Sequence, residues 1–184
     1  RRVLFRSSLA FGLLASDSES ISLEARLEMI QILAEATGAF GMAGGQAIDL
    51  GAIDTICSQS FLEEMHRMKT AALIAASVQL GAQAAGNKDP DLLSALQDYG
   101  LTLGLAFQVT DDILDDTSDA RILGKMGGSD RRNNKPTFLT VLGESEARSA
   151  AIDYRESALS KLAKLPMDST ILVELTKFVT TRHN

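Results

Sequence analysis

The sequence of 184 residues has few of the residues on which several classes of protein depend. Its single cysteine, Cys57, excludes a disulfide within the chain and suits a reducing compartment such as the cytoplasm. Three prolines and 5% aromatic residues argue against a β-sandwich or β-barrel, which needs many turns and many β-forming residues. No run of 18 apolar residues is present, so the sequence predicts no membrane-spanning helix.

Positive charge is also scarce. The chain has 18 Lys and Arg residues against 24 Asp and Glu residues, and its net charge is −6. This balance excludes a diffuse attraction for nucleic acid, although a local cationic cluster could still bind a small anion. Apolar residues make up 45% and charged residues 23%, which is typical of a globular domain with a core.

Apolar residues recur at helical spacing along most of the chain, which predicts one all-α domain. Ser22 is a plausible N-cap for a first helix. The apolar stripe that indicates this helix consists of Leu23, Leu27, Ile30 and Ala34. Four glycines between positions 38 and 45 then predict a kink or a close approach of two backbones. Helical character resumes and ends near Gly51.

A helical hairpin is predicted around Lys88. One helix extends from about Phe61 to Ala85, and the next begins at Pro90, with Asp89 as its cap, and ends at about Asp116. The second helix carries an apolar stripe formed by Leu92, Leu96, Tyr99, Leu103 and Ala106. Residues 117–135 predict a loop, and two further helices are expected at about 144–164 and 169–180.

The sequence DDILDD, residues 111–116, places several carboxylates at the end of an apolar helix. Asp111 and Asp115 are four residues apart and share a face, and Asp112 is three residues from Asp115. Because like charges at this spacing repel, an offsetting cation is expected, and clustered carboxylates are ligands for Mg²⁺. The alternative is a solvated acidic helix end, although carboxylates at a helix C-terminus oppose the helix dipole.

Cationic residues accompany these carboxylates. Lys69 and Thr70 open an apolar run inside a helix, so the lysine either extends to solvent or meets an anion. The glycine-containing segment 123–135 carries Lys125 and Lys135 with two arginines, which is typical of a solvated loop or of a lid over a metal-bound phosphate. Neither His66 nor His183 has zinc-ligand spacing, and we expect a helix-surface role for both.

Helix geometry predicts that the lysine and the aspartates meet. Lys69 lies 19 residues before Lys88, and Asp111 lies 23 residues after it. At about 1.5 Å per residue the two heights differ by about 6 Å, and Gln108 is nearer still to the level of Lys69. The pattern therefore predicts a site for a metal-bound anion in a largely apolar cavity of a helical bundle.

Four segments in order carry a family resemblance: GGQAID (44–49), HRMKTAAL (66–73), FQVTDDILD (107–115), and GK followed by NKPTF (124–138). Together they resemble the trans-isoprenyl diphosphate synthases, in particular the bacterial farnesyl and geranyl diphosphate synthases. The resemblance extends from about Ser8 to the end of the chain. It implies an antiparallel helical bundle of the isoprenoid synthase type.

The resemblance also implies roles for the site residues. Mg²⁺ would be held directly by Asp111 and through water by Asp112 and Asp115. The diphosphate would be bound by Lys69, Lys125 and Lys135. The allylic cation would be steadied by Thr70, Gln108 and the carbonyl of Lys69, while Gln46 and Asp49 would line the same pocket. Catalysis would rest mainly on Lys69, Thr70 and Gln108.

The function that the resemblance implies is head-to-tail condensation of an allylic diphosphate with isopentenyl diphosphate, in a cytoplasmic homodimer. The alternative is a noncatalytic subunit that binds prenyl diphosphates or completes a heteromeric synthase. A purely structural bundle would leave the lysine and aspartates at one level unexplained. Product chain length is not determined by this sequence.

Two features depart from the family pattern. No match is found to the family's first aspartate-rich motif, to the Arg-Arg pair after it or to the basic isopentenyl diphosphate site. We therefore expect an N-terminally truncated chain in which residues 8–184 are the C-terminal part of one synthase domain. Residues 1–7, RRVLFRS, correspond to the translation of a sequencing adaptor, AGA CGT GTG CTC TTC CGA TCT, and are expected to be a non-native leader.

Overall fold

A computed structural model describes residues 2–123 and 135–181, with side chains for 6–116 and 135–181. The regular secondary structure in these ranges is helical, which confirms the all-α prediction. The helices are α1 (Arg2–Ala15), α2 (Leu23–Thr37), α3 (Met42–Gly51), α4 (Gln59–His66), a π-helical turn (Arg67–Ala71), α5 (Ala72–Ala84), α6 (Pro90–Leu123), α7 (Phe138–Leu142), α8 (Glu144–Leu162) and α9 (Thr170–Thr181). Among the described residues, no helix is long and apolar enough to cross a membrane.

Helix starts follow the predicted capping residues. The Ser22 hydroxyl accepts a hydrogen bond from the Ala25 N–H (3.2 Å) and begins α2. The Asp89 carboxylate accepts one from the Asp91 N–H (3.0 Å) and begins α6 at Pro90. These bonds satisfy N–H groups that have no partner within the helix.

The first residues of the chain are helical. Residues 2–7, expected to be a non-native leader, form the first turns of α1. Their origin stays a prediction.

The residues of α2 that face the core are not those of the apolar stripe that predicts the helix. Leu23 and Leu27 are exposed. The residues that face the core are instead Arg26, Met29, Leu33 and Ala36. The Arg26 guanidinium donates hydrogen bonds to the carbonyl oxygens of Ala15 and Ser16, which explains how a charged residue occupies the buried side.

Helices α5 and α6 form the predicted antiparallel hairpin, closed by Gly86 at φ 86°. Two glycines of α6 allow the helices to approach closely, because a Cβ on Gly104 would lie 2.3 Å from the Cβ of Ala71 and one on Gly100 would lie 2.4 Å from the Cα of Ala75. The predicted stripe on α6 is buried throughout: Leu92, Leu96, Tyr99, Leu103 and Ala106.

Helix α6 is the centre of the fold and is longer than predicted. Its backbone continues to Leu123, so the expectation of an end at about Asp116 and of a loop from residue 117 is wrong. Near its middle, Tyr99 packs with Leu103 against α8, and its hydroxyl lies 2.9 Å from the hydroxyl of Thr176 in α9. Towards its C-terminal part, Val109 packs with α4 and Phe138 of α7. This second cluster positions the predicted site.

Candidate active site

The helix that begins at Gln59 changes to a π-helical turn at the predicted lysine. The turn contains Lys69 and Thr70, and π-helical turns within α-helices occur frequently at functional sites. Gly45 of α3 lies against it so closely that a Cβ there would be 2.2 Å from the backbone nitrogen of Lys69. This contact confirms the predicted close approach of two backbones. No feature of the sequence predicts the change from α-helix to π-helical turn.

A buried carboxylate joins two of the predicted lysines. One oxygen of Asp49, Oδ2, accepts hydrogen bonds from Lys69 Nζ (3.1 Å) and Lys135 Nζ (2.9 Å). The Asp49 side chain is 5% exposed, whereas the lysine side chains are 27% and 23% exposed. Burial alone would raise the pKa of Asp49, but the bonds from Lys135 and Lys69 outweigh it and hold that pKa below its usual range.

A second chain of hydrogen bonds crosses from the π-helical turn to α6 and α7. Thr70 Oγ1 donates to Gln108 Oε1 (3.2 Å), and Gln108 Nε2 donates to Asp112 Oδ1 (3.0 Å). The other oxygen, Asp112 Oδ2, accepts from the buried backbone N–H of Phe138 (2.9 Å). The Thr70–Gln108 bond confirms that the two helices meet at the predicted level. The sequence did not indicate that Asp112 would hold α7 in place.

His66 is buried, so the expectation of a surface position is wrong. It is 4% exposed, and its ring stacks on Phe138 with centroids 5.6 Å apart. Neither ring nitrogen has a hydrogen-bond partner in the part of the chain that the structure describes. Burial, followed by the nearby charge of Lys69, lowers the pKa of His66 to about 4. Burial results because α7, remote in sequence, covers this end of α4.

The remaining predicted residues are placed with different degrees of burial. Asp111 is partly buried and Asp115 is exposed on α6, near the buried Asp112. Gln46 is exposed on α3, three residues before Asp49. Lys125 lies outside the described residues.

The carboxylates have the donor chemistry of a Mg²⁺ site but do not form a closed cage. In residues 2–123 and 135–181, no three His, Cys, Asp or Glu side chains converge as a group that could hold a metal. Mg²⁺ commonly uses one or two protein carboxylates and completes its shell with water and substrate phosphate. The oxygen donors of residues 111–116 in α6 fit that mode of binding.

A cavity of about 750 Å³ lies between α2, the π-helical turn, α5 and α6. Its wall combines apolar residues, among them Met68, Ala72, Ala75, Ala76 and Leu101, with polar ones, among them Glu35, Glu64 and Arg67, so the expectation of a largely apolar cavity is only partly met. Met68 of this wall is adjacent in sequence to Lys69 of the cationic cluster. An elongated apolar group carrying an anionic head suits this combination.

Comparison with known proteins identifies the class of protein that this fold and site define. The Polyprenyl synthetase family profile matches residues 4–165, so the chain belongs to that family. Farnesyl diphosphate synthase from Escherichia coli (strain K12) is 42% identical over 180 residues, covering 96% of this chain and 60% of that protein. The chain thus spans about three-fifths of the length of this relative.

Solved structures have the same fold. Geranyltransferase from Helicobacter pylori, complexed with magnesium and isoprenyl diphosphate, superposes with a TM-score of 0.77 and 34% identity, covering 94% of this chain and 55% of that one. An FPP/GFPP synthase from Zymomonas mobilis superposes with a TM-score of 0.77 and 32% identity, covering 94% and 57% of the two chains. These matches confirm the predicted isoprenoid synthase fold.

Proposed function

We propose that the complete protein containing this chain is a prenyltransferase that condenses an allylic diphosphate with isopentenyl diphosphate. The observation that carries the proposal is the convergence of Lys69 and Lys135 on buried Asp49, in a fold that also has a cavity with Met68, the neighbour of Lys69 in sequence, in its wall. Ammonium groups suit a diphosphate, and the cavity suits a hydrocarbon chain. The polyprenyl synthetase membership supports the same reaction.

The lysines would stabilise the departing diphosphate. Lys69 and Lys135 lie where two ammonium groups can bind the same anion, and Lys125 is assigned with them by family resemblance. Mg²⁺ bound by Asp111, with Asp112 and Asp115 acting through water, would supply further stabilisation of the leaving group. Charge that develops on the diphosphate is then met by groups already in position.

The allylic cation would be steadied by neutral oxygen atoms. Thr70 and Gln108 are hydrogen-bonded to each other across α6 and the π-helical turn, next to Lys69 in sequence. Their oxygens, with the Lys69 carbonyl, are suitable for a cation that a water molecule would otherwise capture. Apolar side chains in the cavity wall would limit the access of water, and attack by isopentenyl diphosphate followed by proton loss would give the longer chain.

We further propose that the 184-residue chain does not carry out this condensation alone. It spans about three-fifths of its Escherichia coli relative, and bringing two substrates together is a large part of the catalytic task. We expect the complete protein to be a cytoplasmic homodimer.

The test joins the chain to the N-terminal segment of the Escherichia coli relative and measures prenyl product from labelled isopentenyl diphosphate. The expected result is Mg²⁺-dependent product from the chimera and none from the chain alone. Product from the chain alone would contradict the inactivity proposal. A chimera that binds pyrophosphate but yields no product would favour a noncatalytic subunit.

A further inference from the structure

Asp49 connects parts of the chain that are distant in sequence. Lys69 lies 20 residues and Lys135 lies 86 residues from Asp49, yet both ammonium groups bond to the same oxygen atom. One lysine belongs to the π-helical turn, and the other lies three residues before the start of α7. The carboxylate therefore fixes the relative position of two cations that the backbone connects only remotely.

The shared oxygen also brings the two cations close to each other. Because their nitrogens lie 3.1 and 2.9 Å from Asp49 Oδ2, they are at most about 6 Å apart. Two ammonium groups at this distance in a half-buried site repel each other unless an anion lies between them. Each ammonium has three protons, so a bond to Asp49 leaves two for another acceptor.

We propose that Asp49 is a positioning residue that holds Lys69 and Lys135 together as one diphosphate-binding pair and does not itself contact the substrate. This inference rests on the proposed function and changes the role of Asp49 from a pocket-lining residue to an anchor. A carboxylate facing the diphosphate would repel it, whereas a buried carboxylate behind two lysines presents their ammonium groups to it.

Counting charges gives the anchor a measurable consequence. Two lysines and one carboxylate leave one net positive charge in the cluster. If one lysine is removed, the other remains paired with Asp49 and the cluster becomes neutral. Loss of both lysines leaves a net charge of −1. Loss of Asp49 instead raises the net charge to +2, so charge alone would strengthen anion binding, whereas loss of an anchor should weaken it.

The first test measures the lysines without any diphosphate. Ammonium signals that exchange slowly with water are recorded by ¹⁵N NMR on the full chain, and Lys69→Met and Lys135→Met assign them. We expect Asp49→Asn to remove both slow signals together. Asp153→Asn, on the exposed side of α8, changes the same charge remotely and should remove neither.

Two results would overturn the anchor: both signals persisting in Asp49→Asn, or neither lysine giving a slow signal in the unaltered chain. If Asp49→Asn loses its helical circular dichroism, Asp49→Glu decides instead. A simultaneous shift of both signals in Asp49→Glu supports a shared anchor, and a shift of only one contradicts it.

The second test measures pyrophosphate binding with Mg²⁺ by calorimetry on the same variants, introduced into the chimera. We expect Asp49→Asn to weaken binding about 10-fold although it removes a negative charge, because the two ammonium groups are no longer held together. Asp153→Asn removes the same charge remotely and should leave binding unchanged. Unchanged or tighter binding by Asp49→Asn would overturn the proposal. If the unaltered chimera fails to bind pyrophosphate, the proposed function fails, while the NMR signals still decide the role of Asp49.

Discussion

Two buried aspartates in this molecule are held by different kinds of donor. Asp49 accepts hydrogen bonds from two charged lysines, which themselves remain partly exposed. Asp112 accepts them from an amide side chain and from the backbone N–H of Phe138, a residue with no exposed surface. The two lysine ammonium groups reach solvent and have further protons to donate to a ligand. The buried backbone N–H of Phe138 can only hold the structure in place. This difference favours the proposed binding role for Asp49, and it gives Asp112 a structural role in aligning α6 with α7 besides its proposed role at Mg²⁺.

The largest expected effect concerns the acidic segment of α6, residues 111–116. In the active chimera, Asp111→Asn should lower kcat about 100-fold or more, because charge stabilisation of the leaving group is lost. Its helical circular dichroism should be unchanged, since the substitution relieves repulsion between neighbouring carboxylates. Initial rates at saturating Mg²⁺ and substrates measure this, with Asp153→Asn as the control. An unchanged kcat would remove Asp111 from the metal role.

A second prediction concerns His66, which stacks on Phe138, the residue whose backbone N–H binds Asp112. Its folded-state pKa is about 4 against an ordinary value of 6.5. Between pH 6.5 and 4, His66 is therefore protonated in the unfolded chain but neutral in the folded chain. The free energy of unfolding falls as the pH decreases through this range. The loss approaches about 3 kcal/mol, at about 1.4 kcal/mol per pH unit.

Urea unfolding at pH 7, 5.5 and 4.5 checks the histidine prediction. His66→Phe keeps an aromatic ring against Phe138 but cannot titrate, so its stability should depend less on pH over this range. Equal pH dependence in both proteins would show that His66 is not responsible.

The smallest expected effect separates the two aspartates directly. Asp112→Ala should lower the free energy of unfolding by about 2 kcal/mol, because the buried Phe138 N–H loses its partner. Asp49→Ala should cost only about 1 kcal/mol, because its partly exposed lysines can be solvated again. Chemical unfolding without added Mg²⁺ measures both, and a larger loss for Asp49→Ala would reverse the assignment.

Local features of the fold were predictable from the sequence. Ser22 and Asp89 begin helices because their side chains accept the first backbone N–H groups. The stripe on α6 is buried as its spacing predicts, whereas the stripe on α2 is not, because that helix has two faces with apolar residues. The level at which Thr70 meets Gln108 followed from the rise per residue and the hairpin.

By itself, the sequence determined most of the helices and the antiparallel hairpin, and it supplied the predicted set of site residues. The tertiary structure decided which of those residues touch. The two lysines share Asp49, Asp112 binds the Phe138 backbone, and His66 is covered by Phe138. Helical spacing describes only which residues share a face within a few turns. Contacts between segments 20 to 86 residues apart depend instead on how those faces pack and on which polar groups lose water there.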